Sequence, residues 1–150
     1  MTATAATTEQ TTAEQTAADQ NITEQTTTEQ NTALVRDFME TVWNAGRTAE
    51  AARFVAADLA QHNPALPDGL AALTGLIDTL HAQLPELRFA IRRTVAEGEL
   101  VVVHSLFTPA PGADAQAVVD IFRIEDGRIA EHWDVHQELP ATTASGRPAV

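Results

Sequence analysis

The chain has 150 residues and a net charge of -12, and it contains no cysteine. This length is enough for one domain with a hydrophobic core. The absence of cysteine rules out disulfides and thiolate chemistry, and so acidic a chain is repelled by nucleic acid and by anionic membrane surfaces. No apolar run approaches the roughly 20 residues that span a bilayer, and no signal peptide is visible. We therefore expect a cytoplasmic protein.

Residues 1–31 form a five-residue repeat. Gln recurs at positions 10, 15, 20, 25 and 30, each time after Glu or Asp. After Met1, Ile22 is the only large aliphatic residue, so the segment cannot bury enough apolar surface to offset its ordering entropy. A period of five also keeps no constant face on a helix of about 3.6 residues per turn. We predict a disordered or fraying acidic tail, with transient helix as the alternative.

The folded domain is predicted over residues 32–139 and begins with helices. Asn31 can cap the first helix. Large apolar residues then recur at helical spacing as far as Gly46, which is a natural stop. Thr48 can cap a short second helix that runs through Ala57.

A short extended piece, residues 59–63, separates this helix from a third, which Asp68 can cap and Pro85 closes. Beyond the third helix the apolar pattern is typical of strands. Four strands are predicted, at 87–95, at 100–108 and in the two arms of a hairpin within 118–137. Helices segregated onto one face of a curved antiparallel sheet make an α+β fold. Residues 140–150 are predicted to be a flexible tail.

The hairpin carries ionisable groups that a core strand seldom holds. Its arms are joined by an Asp-Gly pair, a strong signal for a tight turn. Asp120 lies among apolar residues in the first arm, and an unpaired buried carboxylate is costly. We therefore look for chemistry in the two arms. Their main polar residues are Asp120, His132, Asp134 and His136.

The length of the turn decides which residues of the hairpin meet. A two-residue loop brings Asp120 opposite Trp133. A three-residue loop, with Gly127 left-handed in a bulge, brings Asp120 opposite His132. A one-residue slip turns every side chain to the other face, and the second register gathers the polar residues on one surface. We favour this second register. It leaves an apolar face suited to a dimer, made of Val119, Ile121, Ile129, Trp133 and Val135.

Four features resemble the NTF2-like superfamily: the helix-then-sheet order, the QHNP stretch (61–64), the VDIFRIEDGRI arm and the EHWD motif (131–134). Within it, the chain is most similar to the SnoaL-like group of polyketide cyclases and predicted aldol-condensation enzymes. The resemblance implies a cone, in which a curved sheet surrounds a pocket, with no metal or cofactor. It also implies a homodimer through the convex face of the sheet.

The resemblance gives Asp120 a role, because the family's cyclases use an Asp at the matching position as general acid/base. The superfamily's steroid isomerases carry their base at the position that matches Asn63. The amide found here counts against a two-carboxylate isomerase.

The candidate catalytic residues are Asp120, which can take a proton next to a carbonyl, and His132, which can assist it. Asn63 can donate to an enolate oxygen, as an oxyanion-hole amide does. The alternative for each is a purely structural role. The predicted substrate contacts are His62, Asn63, His104, Phe122, Asp134 and His136.

Three hairpin residues also have the spacing of a metal site. His132, Asp134 and His136 alternate on one side of a strand and could offer imidazole and carboxylate ligands. Because the family resemblance implies none, we predict no metal.

Our leading interpretation is a small cofactor-free enzyme that binds an apolar carbonyl compound and catalyses an aldol-type cyclisation. Isomerisation, dehydration or epoxide hydrolysis in the same pocket is the first alternative. A non-catalytic, dimeric ligand-binding module is the second.

Overall fold

The structure is a computed structural model that describes the backbone of residues 4–150 and the side chains of residues 14–17 and 19–150. What was expected of residues 1–3 lies outside the described residues. The helical elements are α1 (Thr4–Phe38), a π-helical stretch (Met39–Asn44), a 3-10 stretch (Thr48–Arg53) and α2 (Leu70–Gln83). The strands are β1 (Val55–Gln61), β2 (Arg88–Glu97), β3 (Leu100–Thr108), β4 (Gln116–Glu125) and β5 (Arg128–Glu138).

The five strands form one curved sheet in the order β1-β5-β4-β3-β2. Strands β2 to β5 pair antiparallel with their neighbours, as predicted, and β1 adds a parallel edge strand beside β5. The predicted α+β class is confirmed. The core lies between the inner face of the sheet and the helices, and it includes Phe38, Leu59, Ile77, Val101, Val103 and Ile129. No helix in the described part of the chain is long and apolar enough to cross a membrane.

Helix α1 contains the acidic repeat. The segment predicted to be disordered is helical from Thr4 onwards, which accords with its many Ala, Glu and Gln residues. Asn31 lies within the helix and caps nothing, and its side chain donates instead to the carbonyl of Gly98 at 3.1 Å. The described side chains of the repeat are largely exposed, whereas Phe38 is buried. Packing on the sheet therefore begins near Asn31.

The second predicted helix is shorter than expected. The 3-10 stretch ends at Arg53, and residues 55–57 belong to β1. Val55 pairs with Ile129 of β5 and is only 1% exposed. Burial of this β-branched side chain in the sheet therefore outweighs the helical pattern.

The third predicted helix is α2, but Asp68 does not cap it. The Asp68 carboxylate accepts a hydrogen bond from the backbone N–H of Gln61 at 2.8 Å, and Gly69, with a φ of 98°, precedes the helix. The loop before α2 is thereby tied to the end of β1. Leu73 and Ile77 then turn the helix toward the core.

The turn between β4 and β5 has two residues, and the favoured three-residue loop is wrong. Asp126 and Gly127 have φ values of 49° and 71°, which suit a type I′ turn. Glu125 consequently pairs with Arg128.

A bulge in β5 then moves the polar side chains back to one face. Ile124 pairs with Ile129, but Arg123 pairs with Glu131, so Ala130 is the extra residue. Beyond the bulge, the side chains lie on the same faces as in the register predicted from a three-residue loop. The residues that pair across the two strands are different. The opposed pairs are Phe122 and His132, Ile121 and Trp133, Asp120 and Asp134, and Val118 and His136.

The same bulge separates Ile129 from the rest of the predicted dimer face. Ile129 precedes the extra residue, lies on the inner face and is 1% exposed, so its predicted outer position is wrong. Trp133 lies on the outer face opposite Ile121, as predicted, and Val135 beyond it is 65% exposed.

Replacement of Ile129 by Ala is expected to lower the free energy of unfolding by about 2–5 kcal/mol, because the change leaves a cavity in the core. The matched substitution Ile22→Ala, at a side chain that is 62% exposed, should change it by less than about 0.5 kcal/mol. Urea unfolding followed by circular dichroism measures both. Equal effects would contradict the inner position of Ile129.

Candidate active site

A cavity of about 230 Å³ lies between the inner face of the sheet and α2. One part of its wall is polar and the rest is apolar. The polar residues are Gln61, Asn63, Asp120, His132, Asp134 and His136. The apolar residues are Trp43, Leu66, Leu73, Leu76, Leu80, Phe89, Phe107 and Val118. Such a wall can hold an apolar compound and orient one polar end of it.

A wider groove of about 710 Å³ lies against the C-terminal residues 139–150. Arg92 and Leu106 of the sheet form its other side. None of the residues predicted to act on substrate lines this groove. The smaller cavity is therefore the candidate active site.

Asp120 and His132 form a buried pair in the cavity wall. They are 7% and 8% exposed, and His132 Nε2 lies 3.1 Å from Asp120 Oδ1. The two residues are not directly opposite each other, since β5 is shifted by its bulge, but they meet diagonally across β4 and β5. The structure thus brings the two candidate catalytic residues together.

Phe122 lies against the His132 ring and not in the cavity wall. The two rings stack with centroids 4.9 Å apart, and Phe122 is 2% exposed. Its contact with substrate stays a prediction. Its packing holds the imidazole in place.

Gln61 holds the other nitrogen of the His132 ring. Gln61 Oε1 lies 2.9 Å from His132 Nδ1 and also accepts the backbone N–H of Asn63 at 2.9 Å. A backbone N–H can only donate, so the amide oxygen must face it, and His132 Nδ1 must then carry a proton. The sequence analysis named His62 and Asn63 of the QHNP stretch but missed Gln61. The only signal for Gln61 was its place in the same stretch.

One proton must then lie between His132 Nε2 and Asp120 Oδ1. Either His132 is an imidazolium beside an ionised Asp120, or Asp120 holds the proton and donates it to a neutral imidazole. Both forms of the pair have no net charge, which suits a pair with so little exposure to water. They differ only in the position of one proton.

Both polar atoms of the Asn63 side chain already bond to the protein. Its Nδ2 donates to Asp134 Oδ2 at 2.6 Å, and its Oδ1 accepts the backbone N–H of Ala65 at 2.9 Å. His136 Nε2 lies 3.3 Å from the same Asp134 oxygen, and its Nδ1 lies 3.2 Å from Gln116 Oε1. Asn63 and His136 thereby fix Asp134 in the cavity wall.

His62 and His104 do not line the cavity, and their contacts with substrate stay predictions. His62 Nε2 lies 2.8 Å from Glu131 Oε1, and its ring stacks on Trp133 at 4.7 Å. His104 lies beside Arg93 at 3.0 Å on the outer face of the sheet. Strand alternation explains both cases, because each residue follows an inward-facing neighbour.

Three side chains of the cavity could in principle surround a cation. Asp120, His132 and Asp134 each offer a ligand atom, and these atoms lie within 4.8 Å of one another. Asp120 and His132 already bond to each other, and Asp134 already accepts a hydrogen bond from Asn63. The expected absence of a metal stays a prediction.

Three buried polar atoms in the described side chains have no hydrogen-bond partner. They are Gln61 Nε2, Asp120 Oδ2 and Ser105 Oγ. An unsatisfied buried group costs about 1–3 kcal/mol. Gln61 and Asp120 line the cavity, whereas Ser105 does not. A ligand that supplied an acceptor and a donor could satisfy the first two.

A charged cluster supports β5 on its outer side. Arg123 Nε donates to Glu131 Oε2 at 2.7 Å, and Glu131 also contacts His62. The hydrogen bond from Arg123, and after it that from His62, lowers the pKa of Glu131 below its ordinary value of 4.5. Arg123 and Glu131 form the first strand pair beyond the bulge.

The curved sheet of this α+β fold thus encloses a cavity whose wall holds a buried carboxylate–imidazole pair. The family model of the SnoaL-like domain matches residues 35–132. The chain therefore belongs to the SnoaL-like family, within the NTF2-like superfamily. No curated protein matches it significantly.

Solved structures share the fold. TsrD from Streptomyces laurentii is 26% identical with a TM-score of 0.60, covering 70% of this chain and 89% of its own. A provisionally named ketosteroid isomerase from Kribbella flavida is 22% identical with a TM-score of 0.64, over 77% and 84% of the two chains. A SnoaL-like polyketide cyclase from Agrobacterium tumefaciens is 15% identical with a TM-score of 0.60, over 69% and 88%.

Glu131→Gln is expected to destabilise the fold at neutral pH, because it removes a carboxylate that the folded state holds ionised. A lowered folded pKa contributes stability above the unfolded value of about 4.5, and this contribution is lost as the pH falls through the folded pKa. Urea unfolding between pH 3 and 7 should therefore show that the free energies of unfolding of the wild type and the variant converge at the acidic end. A gap that stays constant with pH would contradict the role of Glu131.

Proposed function

We propose that the protein is a cofactor-free enzyme that takes a proton from the carbon beside a carbonyl group of a small apolar substrate. An aldol-type cyclisation is the reaction that we favour. The observation that supports this most is the buried Asp120–His132 pair, whose Asp120 Oδ2 has no partner among the described residues. The family of the chain, which includes proteins named as polyketide cyclases, also supports it.

The reaction begins from the form in which Asp120 is ionised and His132 is an imidazolium. Asp120 Oδ2 takes the proton, the C–H bond breaks, and its electrons move to the carbonyl oxygen as an enolate. The imidazolium stays beside Asp120 and stabilises the negative charge. The enolate carbon then attacks a second carbonyl carbon, and the alkoxide that results takes the proton back from Asp120.

The cavity limits the size of the substrate. Its volume of about 230 Å³ is below the range of about 300–1,000 Å³ that is usual for ligand pockets. The leucines of α2 and the rings of Trp43, Phe89 and Phe107 line most of it. We therefore propose a substrate with one or two rings.

Isomerisation is the second candidate function, because it needs the same proton removal and returns the proton to another carbon. The Asp120–His132 pair serves both reactions equally. Epoxide opening is less favoured, since no arginine lines the cavity. A non-catalytic, dimeric ligand-binding module remains the alternative if the pair transfers no proton.

We also propose a homodimer formed through the outer face of the sheet. Val95 and Val135 are each 65% exposed there, and Leu100 is 40% exposed. Large apolar side chains so exposed on one sheet face are typical of an interaction surface. The half-buried Ile121 and Trp133 extend the same face.

Asp120→Asn is expected to slow proton removal by about 10²–10⁴-fold, which is the usual contribution of a general base. Exchange of the α-hydrogens of 2-tetralone in D₂O, followed by proton NMR, measures this step without the natural substrate. The exposed loop variant Asp114→Asn should exchange as fast as the wild type. Undiminished exchange by Asp120→Asn would refute the role of Asp120, and no exchange by the wild type would favour the binding module.

Val135→Asp is expected to convert a dimer into a monomer, because it places a charge on the apolar side chains of the proposed interface. Sedimentation velocity at several protein concentrations distinguishes the two. Ile22→Asp, at another exposed apolar side chain, should leave the dimer intact. A wild-type monomer, or a dimer that survives Val135→Asp, would rule out this surface.

A further inference from the structure

We propose that Gln61 is a further catalytic residue, whose side-chain N–H donates to the carbonyl oxygen of the substrate and to the enolate oxygen formed from it. The catalytic part of this inference rests on the proposed function. The binding contact rests on the geometry of Gln61 alone.

The orientation of the Gln61 amide is fixed on its oxygen side. Oε1 accepts both the backbone N–H of Asn63 and the Nδ1–H of His132, each at 2.9 Å. A flipped amide would place an NH₂ group against a backbone donor, which cannot accept. The amide therefore stays in one orientation, with Nε2 on the side away from these two donors.

The amide nitrogen of Gln61 has no acceptor in the part of the chain that the structure describes. Nε2 is buried and unpartnered, and Gln61 lines the cavity. A buried amide is costly without a hydrogen bond. The neighbouring amide of Asn63 is different, because its nitrogen already donates to Asp134. Of these two amides, Gln61 is the one whose nitrogen has no acceptor among the described residues.

The same imidazole ring holds Gln61 and Asp120 in position relative to each other. Gln61 bonds to Nδ1 of His132 and Asp120 bonds to Nε2, so the ring fixes the distance between them. One offers an unused donor and the other an unused acceptor. A ketone presents the complementary pair, an acceptor oxygen and, two bonds away, a carbon whose hydrogen can be removed.

The proposed contact can be tested with 2-naphthol, whose oxygen resembles that of an enol, and with 2-methylnaphthalene, which lacks the oxygen. Gln61→Glu keeps the acceptor oxygen and replaces the donor, and Gln61→Met removes both. Both variants should bind 2-naphthol about tenfold more weakly than the wild type, because a hydrogen bond is lost. Both should bind 2-methylnaphthalene unchanged. Fluorescence titration measures the affinities, and circular dichroism checks the fold.

Gln116→Glu is the matched control. Gln116 bonds to Nδ1 of His136 at 3.2 Å, much as Gln61 bonds to His132, but it does not line the cavity. This variant should bind both ligands like the wild type. The inference is overturned if the Gln61 variants bind 2-naphthol as tightly as the wild type, if they lose both ligands equally, or if the wild type does not prefer 2-naphthol.

The exchange of 2-tetralone separates this inference from the proposed function. We expect the Gln61 variants to exchange about 10- to 100-fold more slowly than the wild type. Exchange that needs Asp120 but is unaffected in the Gln61 variants overturns the role of Gln61 and leaves the proposed function standing. A wild type that does not exchange, yet binds 2-naphthol through Gln61, refutes the proposed function and retains the binding contact.

Discussion

The extra residue in β5 is the constraint on which the cavity depends. A two-residue turn without a bulge would place Trp133 in the cavity wall and turn His132 outward. Because Ala130 is unpaired, the side chains that follow it change face, and His132 reaches Asp120. The inner face can therefore carry Ile129 as core before the bulge and polar groups after it. The bulge thus separates the core residue Ile129 from the polar residues that the rest of β5 places in the cavity wall.

The hydrogen bonds around His132 in turn decide what the site can do. The ring is held by Gln61 on one side, by Asp120 on the other and by Phe122 on its face. With Nδ1 committed as a donor, the only freedom left to the pair is the position of one proton between His132 and Asp120. A proton held in this way between two fixed groups is the feature on which the proposed proton transfer rests.

The sequence predicted much of the fold, because alternation in the strands and Pro and Gly at the boundaries reflect local physics. It failed at Val55, whose surroundings are set by the parallel pairing of β1 with β5, a contact between distant segments. It also failed at Ile129, which the two-residue turn places on the inner face before the bulge. The meeting of Asp120 and His132 was predicted through a wrong register, since a shorter turn and a bulge produce the same faces. Gln61 was missed because only the folded structure brings it beside His132, 71 residues later in the chain.

The position of β1 at the edge of the sheet has a consequence for when the site exists. Strand β1 pairs with β5 alone, and its far side pairs with no other strand of the sheet. This pairing joins segments that are distant in the chain, and the buried side chains of Val55 and Leu59 anchor the strand in the core. Gln61 ends β1 and orients the ring of His132 on β5. The β4–β5 hairpin alone is therefore not the complete site, which exists only once the edge of the sheet is closed by β1.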